Sequence, residues 1–186
     1  IENNEKIIAL SSMHEYLWPQ VHFFIGKRCN FDCSYCPPGI HDKDSAHLLL
    51  GEFKHALSLI HLKQEKKKLI ITGGEPTLNP DILKMVKYAK SINYKVVIST
   101  NGTAPKKRYK ELLEENVNLH ISFHPEFSNN KLIEKIASLE KYKDELSLKV
   151  MTLYDDPFAE NVRSIIPNQV LSYHPIYGKD LEHEYY

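Results

Sequence analysis

Hydrophobic and polar positions follow two different periods along this chain. Short runs rich in β-branched and aromatic residues predict strands over 21–26, 68–73, 95–100, 118–123, 146–153 and 169–174. Between these runs, apolar residues recur at helical spacing. The helical stripes comprise Leu48, Leu49, Phe53, Ala56, Leu57 and Ile60, and then positions within 82–92, 107–116, 132–139 and 158–166. Such repeated alternation of strand and helix predicts a parallel sheet with crossover helices.

The two faces of the later strands differ in polarity. In the fourth run, alternate positions form a polar column of His120, Ser122 and His124. The opposite column is apolar and consists of Leu119, Ile121 and Phe123. The sixth run repeats the pattern, with Ser172 and His174 set against Leu171 and Tyr173. A sheet covered by helices on both faces would be nearly apolar throughout, so we predict an α/β fold with six parallel strands curled into a partial (βα)6 TIM-like barrel.

A partial barrel of this kind has an inner wall that can contact a substrate. The polar columns supply candidates for that wall on the fourth, fifth and sixth strands. They are His120, His124, Lys149, Met151, Ser172 and His174. If this register is right, the apolar columns pack outward against the helices.

Length and charge limit the class of protein. The 186 residues are 42% hydrophobic, which favours one domain over 1–186, with an N-terminal lead-in at 1–20 and a tail at 176–186. Lysine plus arginine equals aspartate plus glutamate at 24 each, so no overall positive field favours nucleic acid or an anionic membrane. No stretch approaches the roughly 20 apolar residues of a membrane span. We expect a cytoplasmic protein that binds neither partner.

All three cysteines lie within CNFDCSYC, as Cys29, Cys33 and Cys36. An odd number at such close spacing, without a signal-like apolar segment, does not fit a disulfide framework and indicates a reducing compartment. Thiolates at C-x3-C-x2-C spacing on one loop can converge on a soft metal centre. Two alternatives stay open here: a zinc site completed by His41, or a [4Fe-4S] cluster with three protein ligands and one open iron.

Polar and glycine-rich segments follow four of the strands at their carboxyl ends. They are the cysteine loop, TGGEPTLNP at 72–80, STNGT at 99–103 and SFHPE at 122–126. In a parallel barrel this rim carries the active site. Gly73 and Gly74 are expected to let a ligand approach the backbone closely, and Glu75 to hold an ammonium group.

These segments together resemble the radical SAM superfamily. Its C-x3-C-x-aromatic-C hallmark corresponds to Cys29, Cys33, Tyr35 and Cys36. TGGEP and STNGT are similar to motifs of short members related to molybdopterin-biosynthesis and peptide-modifying enzymes. The resemblance covers about 21–175, although the fourth-strand HPE segment matches no assigned motif, and no cysteine follows Cys36 to form an auxiliary cluster.

The resemblance implies two cofactors, a [4Fe-4S] cluster on the three cysteines and S-adenosylmethionine on the open iron. Carried over to this chain, Tyr35 would lie near the adenine, and Ser99 and Asn101 near the ribose and carboxylate. The methionine amino group would lie near Gly73, Gly74 and Glu75. Ser122 and His124 would occupy a fourth-strand position that touches the cofactor.

The chemistry implied is reductive cleavage of S-adenosylmethionine to a 5′-deoxyadenosyl radical, which abstracts hydrogen from an unknown peptide or small molecule. An external flavodoxin- or ferredoxin-like protein would supply the electron. Within the same superfamily, a glycyl-radical activase and a deazapurine-forming enzyme are alternatives. The alternative of another class is a Cys3His zinc module that binds nucleic acid through Cys29, Cys33, Cys36 and His41.

Overall fold

The computed structural model describes residues 20–37, 39–61 and 68–175. Most of the predicted lead-in and all of the predicted tail lie outside these residues. The described chain forms one six-stranded parallel sheet whose order in space follows the order in sequence. The strands are β1 (Gln20–Phe24), β2 (Lys68–Thr72), β3 (Lys95–Thr100), β4 (Asn118–Phe123), β5 (Leu146–Val150) and β6 (Leu171–Tyr173).

Within the described residues, five α-helices connect the strands. They are α1 (Leu50–His61), α2 (Ile82–Ser91), α3 (Lys106–Glu114), α4 (Asn130–Ala137) and α5 (Pro157–Ile165). Two 3-10 turns occupy Pro76–Leu78 and Glu140–Glu145. Local sequence explains where helices begin: the Asn129 side chain accepts from Leu132 N at 3.0 Å before α4, and Asp156 caps α5 just ahead of Pro157.

The helices pack on one face of the sheet, where the hydrophobic core lies. Leu119, Ile121 and Phe123 are fully buried in this core with Ile133 and Ile136 of α4. The alternate residues of the strands lie on the opposite side, called here the inner face. On it, Ser122 of β4 is in register with Lys149 of β5, and Lys149 with Ser172 of β6. Within the described residues β1 and β6 do not pair, so the predicted partial barrel of parallel strands is confirmed.

Several local predictions are wrong. The first strand begins one residue earlier than predicted and ends two residues earlier, and the second strand ends one residue earlier. The fifth strand ends at Val150 rather than at 153, because the chain turns away toward the cap of α5 and leaves Leu153 58% exposed. The sixth strand begins two residues later than predicted and ends one residue earlier. Leu49 precedes α1 and is 64% exposed, so it does not belong to the buried stripe. Among the described residues, no helix is long and apolar enough to cross a membrane.

Candidate active site

The cysteine loop leaves the carboxyl end of β1 and is closed at its base by backbone contacts. Cys29 N donates to Asp42 O at 2.7 Å, and Asp42 N donates to Lys27 O at 3.0 Å. The Asp42 carboxylate then accepts from the backbone and the hydroxyl of Ser45. The loop between these contacts therefore starts and ends at the same point of the sheet rim.

The three thiols line one cavity of about 350 Å³ at the carboxyl ends of the strands. Burial raises the pKa of each thiol, that of Cys33 to about 11. Free thiols are consequently protonated at neutral pH, and a metal that binds them must displace protons. Other predicted site residues on this cavity wall are Tyr35, Gly73, Gly74, Ser99, Asn101, Ser122, His124 and Met151.

The two glycines after β2 have a role that the sequence did not show. A Cβ on Gly73 would collide with the carbonyl oxygen of Gly26, and one on Gly74 with those of Lys27 and Arg28. Gly74 N donates to Gly26 O at 2.9 Å, and Glu75 N to Arg28 O at 2.8 Å. The expectation that these glycines admit a ligand is therefore incomplete, since the base of the cysteine loop itself approaches them.

Glu75 lies beneath the cavity and is 3% exposed. One carboxylate oxygen accepts from the backbone and hydroxyl of Thr77 and, at 2.8 Å, from the hydroxyl of Thr100. The other accepts from Asn101 N at 2.6 Å. Burial raises the pKa of Glu75, while these donors oppose the rise. The carboxylate thus joins the segments after β2 and β3, and Glu75 is the one predicted cofactor residue outside the described cavity lining.

Asn101 joins the third-strand rim to the cysteine loop. Its side-chain nitrogen donates to Asn30 Oδ1 at 3.0 Å and lies 3.9 Å from Cys29 Sγ. Thr103 supports it by donating to Asn101 Oδ1. Ser99 lies two residues before Asn101 on the cavity wall.

The turn after β4, residues 124–128, also contacts the cysteine loop. Tyr35 Oη lies 2.6 Å from His124 Nδ1, which is also 3.6 Å from Cys33 Sγ. Ser34 N donates to Glu126 Oε2 at 3.0 Å, and the Ser34 hydroxyl also donates to this carboxylate. Burial lowers the pKa of His124 to about 4, with Glu126 opposing the fall. The unassigned HPE segment is thus a contact surface for the cysteine loop.

An aromatic pair provides a further contact between this turn and the cysteine loop. The rings of Phe31 and Phe127 stack with centroids 4.8 Å apart. Phe31 belongs to the cavity lining that sequence reasoning missed, together with Pro37, Ile40 and Thr100. The aromatic position inside CNFDCSYC was the available signal for Phe31.

The six residues predicted to form the substrate wall do not lie together in one cavity. His124 and Met151 lie in the cysteine cavity. His120 lies in a second cavity of about 260 Å³ at the other end of the strands, with Lys68, Asp144 and Glu145. The remaining three, Lys149, Ser172 and His174, line neither of these cavities.

His41 lies on the cavity wall, but its ring is hydrogen-bonded to Asp32. Its Nε2 is 3.0 Å from Asp32 Oδ1, and its Nδ1 is buried without a described partner. No three His, Cys, Asp or Glu side chains converge on a single metal ion in the part of the chain that the structure describes. The Cys3His zinc alternative therefore gains no support from the geometry.

Three thiols beside a cavity that extends well beyond them suit a metal centre with an open coordination position and a ligand next to it. The model of the radical SAM superfamily matches residues 23–156, a span that contains the whole cavity lining. The chain belongs to the radical SAM superfamily, as its motifs predicted. Membership implies S-adenosylmethionine and a [4Fe-4S] cluster as cofactors.

Two curated relatives show the range within this family. A GTP 3′,8-cyclase of Helicobacter pylori is 35% identical over 130 residues, which are 68% of this chain and 36% of that protein. A Methanocaldococcus jannaschii protein described as a glycyl-radical enzyme activating enzyme is 29% identical over 132 residues, covering 66% of this chain and 50% of its own length. This chain spans half or less of the length of both relatives.

Solved structures support the fold. Streptococcus suis SuiB, crystallised with its precursor peptide SuiA, superposes with a TM-score of 0.65 at 14% identity. The match covers 85% of this chain and 39% of SuiB. At this identity the likeness concerns the fold alone, and it agrees with the six-stranded parallel sheet.

Proposed function

We propose that this chain is a radical SAM enzyme that holds a [4Fe-4S] cluster on Cys29, Cys33 and Cys36 and binds S-adenosylmethionine in the adjoining cavity. The observation that carries the proposal is that three thiols, two rim glycines and Asn101 all line one cavity. When bound, the cluster supplies one electron for cleavage of S-adenosylmethionine to methionine and a 5′-deoxyadenosyl radical, which takes hydrogen from the substrate.

The chain's own residues bind and orient the ligands. Tyr35 and His124, whose rings lie nearly parallel, form an aromatic wall of the cavity that suits an adenine ring. Ser99 and Asn101 offer polar groups for the ribose and carboxylate. Glu75 fixes the backbone beneath them through Thr100 and Asn101 rather than by facing the cavity.

The substrate side is formed by the inner face of β4 and β5. Ser122 and Met151, which line the cysteine cavity, support this position for the substrate. The GTP cyclase relative favours a phosphorylated small molecule as substrate. Activation of a glycyl-radical enzyme is the second candidate, supported by the 29% identical archaeal relative.

Anaerobic reconstitution with iron and sulfide tests the proposal. We expect a brown protein that produces 5′-deoxyadenosine from S-adenosylmethionine after reduction with dithionite. A colourless protein that retains zinc and takes up no iron would contradict the proposal. Addition of a purified glycyl-radical enzyme, followed by electron paramagnetic resonance, tests the second candidate.

A further inference from the structure

We propose that the inner face of the sheet carries a binding site for an anionic group of the substrate, a phosphate or a carboxylate, centred on Lys149. The inference rests on the proposed function, because it concerns the substrate of the same site. It narrows the unknown substrate to a small molecule that carries an oxyanion.

Strand register places Lys149 in the middle of a polar row. It pairs with Ser122 on β4 and with Ser172 on β6. Paired residues on neighbouring strands lie about 5 Å apart, so these three side chains are immediate neighbours. The Ser172 hydroxyl donates to Leu148 O at 3.2 Å, which leaves Ser122 and Lys149 as the donors of this row.

Among the described residues, no acidic residue occupies a strand position next to Lys149. The residues next to it along β5 and diagonally across are Ser147, Met151, His120, His124 and His174. None of these neighbours carries a carboxylate, so the positive charge of Lys149 is not balanced by an adjacent strand residue. Burial lowers the pKa of His120, and the nearby charges of Lys149 and Lys68 lower it further.

The acidic residues lie lower on the sheet. Asp144 and Glu145 line the second cavity together with Lys68 and His120. Lys68 thus shares its cavity with two carboxylates, whereas no acidic residue occupies a strand position next to Lys149. For this reason the site is assigned to Lys149.

Two polar groups of this row, those of Lys149 and Ser122, have no hydrogen-bond or ion-pair partner among the described residues. Lys149 is only partly exposed. An ammonium group without an acidic neighbour binds an oxyanion favourably, because the anion replaces water and supplies charge-assisted hydrogen bonds.

The position of the row suits substrate anchoring. Ser122 is both a neighbour of Lys149 and part of the cysteine cavity, and Met151, two residues after Lys149, lines the same cavity. An anion held at Lys149 would place the rest of a substrate against that cavity. Holding a remote group in this way orients the reacting part of the molecule.

Isothermal titration of the reconstituted protein with sodium pyrophosphate and, separately, with sodium succinate at constant ionic strength tests the site. We expect saturable binding of at least one anion, weakened about tenfold or more in Lys149→Gln, since loss of one charge-assisted hydrogen bond corresponds to at least that factor. Lys149→Arg should retain affinity within a few fold. Lys110→Gln, an exposed change on α3, should bind as the parent does.

Tighter binding of pyrophosphate would assign a phosphorylated substrate, and tighter binding of succinate a carboxylated one. No saturable binding to the parent, or equal weakening in Lys149→Gln and Lys110→Gln, would overturn the site. Iron content and 5′-deoxyadenosine formation by the parent are measured in parallel. If the parent takes up no iron or forms no 5′-deoxyadenosine, the proposed function fails. The anion site is then judged by the titration alone.

Discussion

The cysteine loop and the inner face of the sheet lie side by side but are built in opposite ways. The loop is held by backbone contacts with Asp42, by the Asn30–Asn101 hydrogen bond and by the carboxylate of Glu126. The polar row at Lys149 has few contacts with the protein. If the proposals above hold, the protein fixes the proposed cluster ligands in advance and leaves the substrate to supply the partners of the inner face.

The largest expected effect is on iron binding. Replacing Cys29, Cys33 or Cys36 with Ala should remove most of the iron, since only three protein ligands are proposed. His41→Ala should leave the iron content near that of the parent, because its ring is bound to Asp32. Iron and sulfide assays with visible absorption spectra check both results. A complete [4Fe-4S] spectrum in any single cysteine variant would refute the ligand assignment.

The next largest expected effect is on the free energy of unfolding, which should differ between changes on the two faces of the sheet. Phe123→Ala should lower the free energy of unfolding by about 3 to 5 kcal/mol, because Phe123 is fully buried among the helices. His174→Ala, on the exposed side of the same sheet, should change it by less than about 0.5 kcal/mol. Denaturant unfolding without cofactors measures both. Equal destabilisation by the two changes would show that the faces are not distinct.

Glu75→Gln tests whether this residue acts through the fold or through a ligand. An amide must turn one N–H group toward the donors that now meet the carboxylate, so the free energy of unfolding without cofactor should fall by about 1 to 3 kcal/mol. Affinity for S-adenosylmethionine should fall as well, because the backbone of Asn101 shifts. The exposed Glu134→Gln on α4 is the matched control. Weakened affinity with unchanged stability would instead support a direct contact with the amino group.

The smallest expected effect concerns the hydrogen bonds between the cysteine loop and Glu126. Glu126→Ala removes both hydrogen bonds to Ser34 and should speed the loss of iron to a chelator about fivefold, which corresponds to about 1 kcal/mol. Glu126→Gln keeps an acceptor and should restore most of the retention. Time courses of iron release measure this, with Glu134→Ala as control. Identical release from Glu126→Ala and the parent would show that the contact does not hold the loop.

Sequence reasoning predicted the features that depend on local pattern. The alternation of apolar and polar residues assigned Phe123 and His124 to opposite faces of the fourth strand. The close spacing of the cysteines indicated candidate metal ligands. It did not predict contacts between distant segments. The partners of Glu75 come from the next strand, and Gly73 is required by the approach of Gly26, a residue far away in sequence. No local period records such contacts, so the sequence did not show that Glu75 also joins the segments after β2 and β3.

The bond between Ser34 and Glu126 also has a consequence for the order of folding. The two residues are 92 positions apart, and a contact of such long range forms only after the intervening chain has been ordered. The loop after β1 therefore acquires its last support when β4 has joined the sheet. During synthesis or refolding, the support from Glu126 is absent until four of the six strands are in place, so we expect stable iron uptake by the proposed ligands to follow this late step in the assembly of the domain.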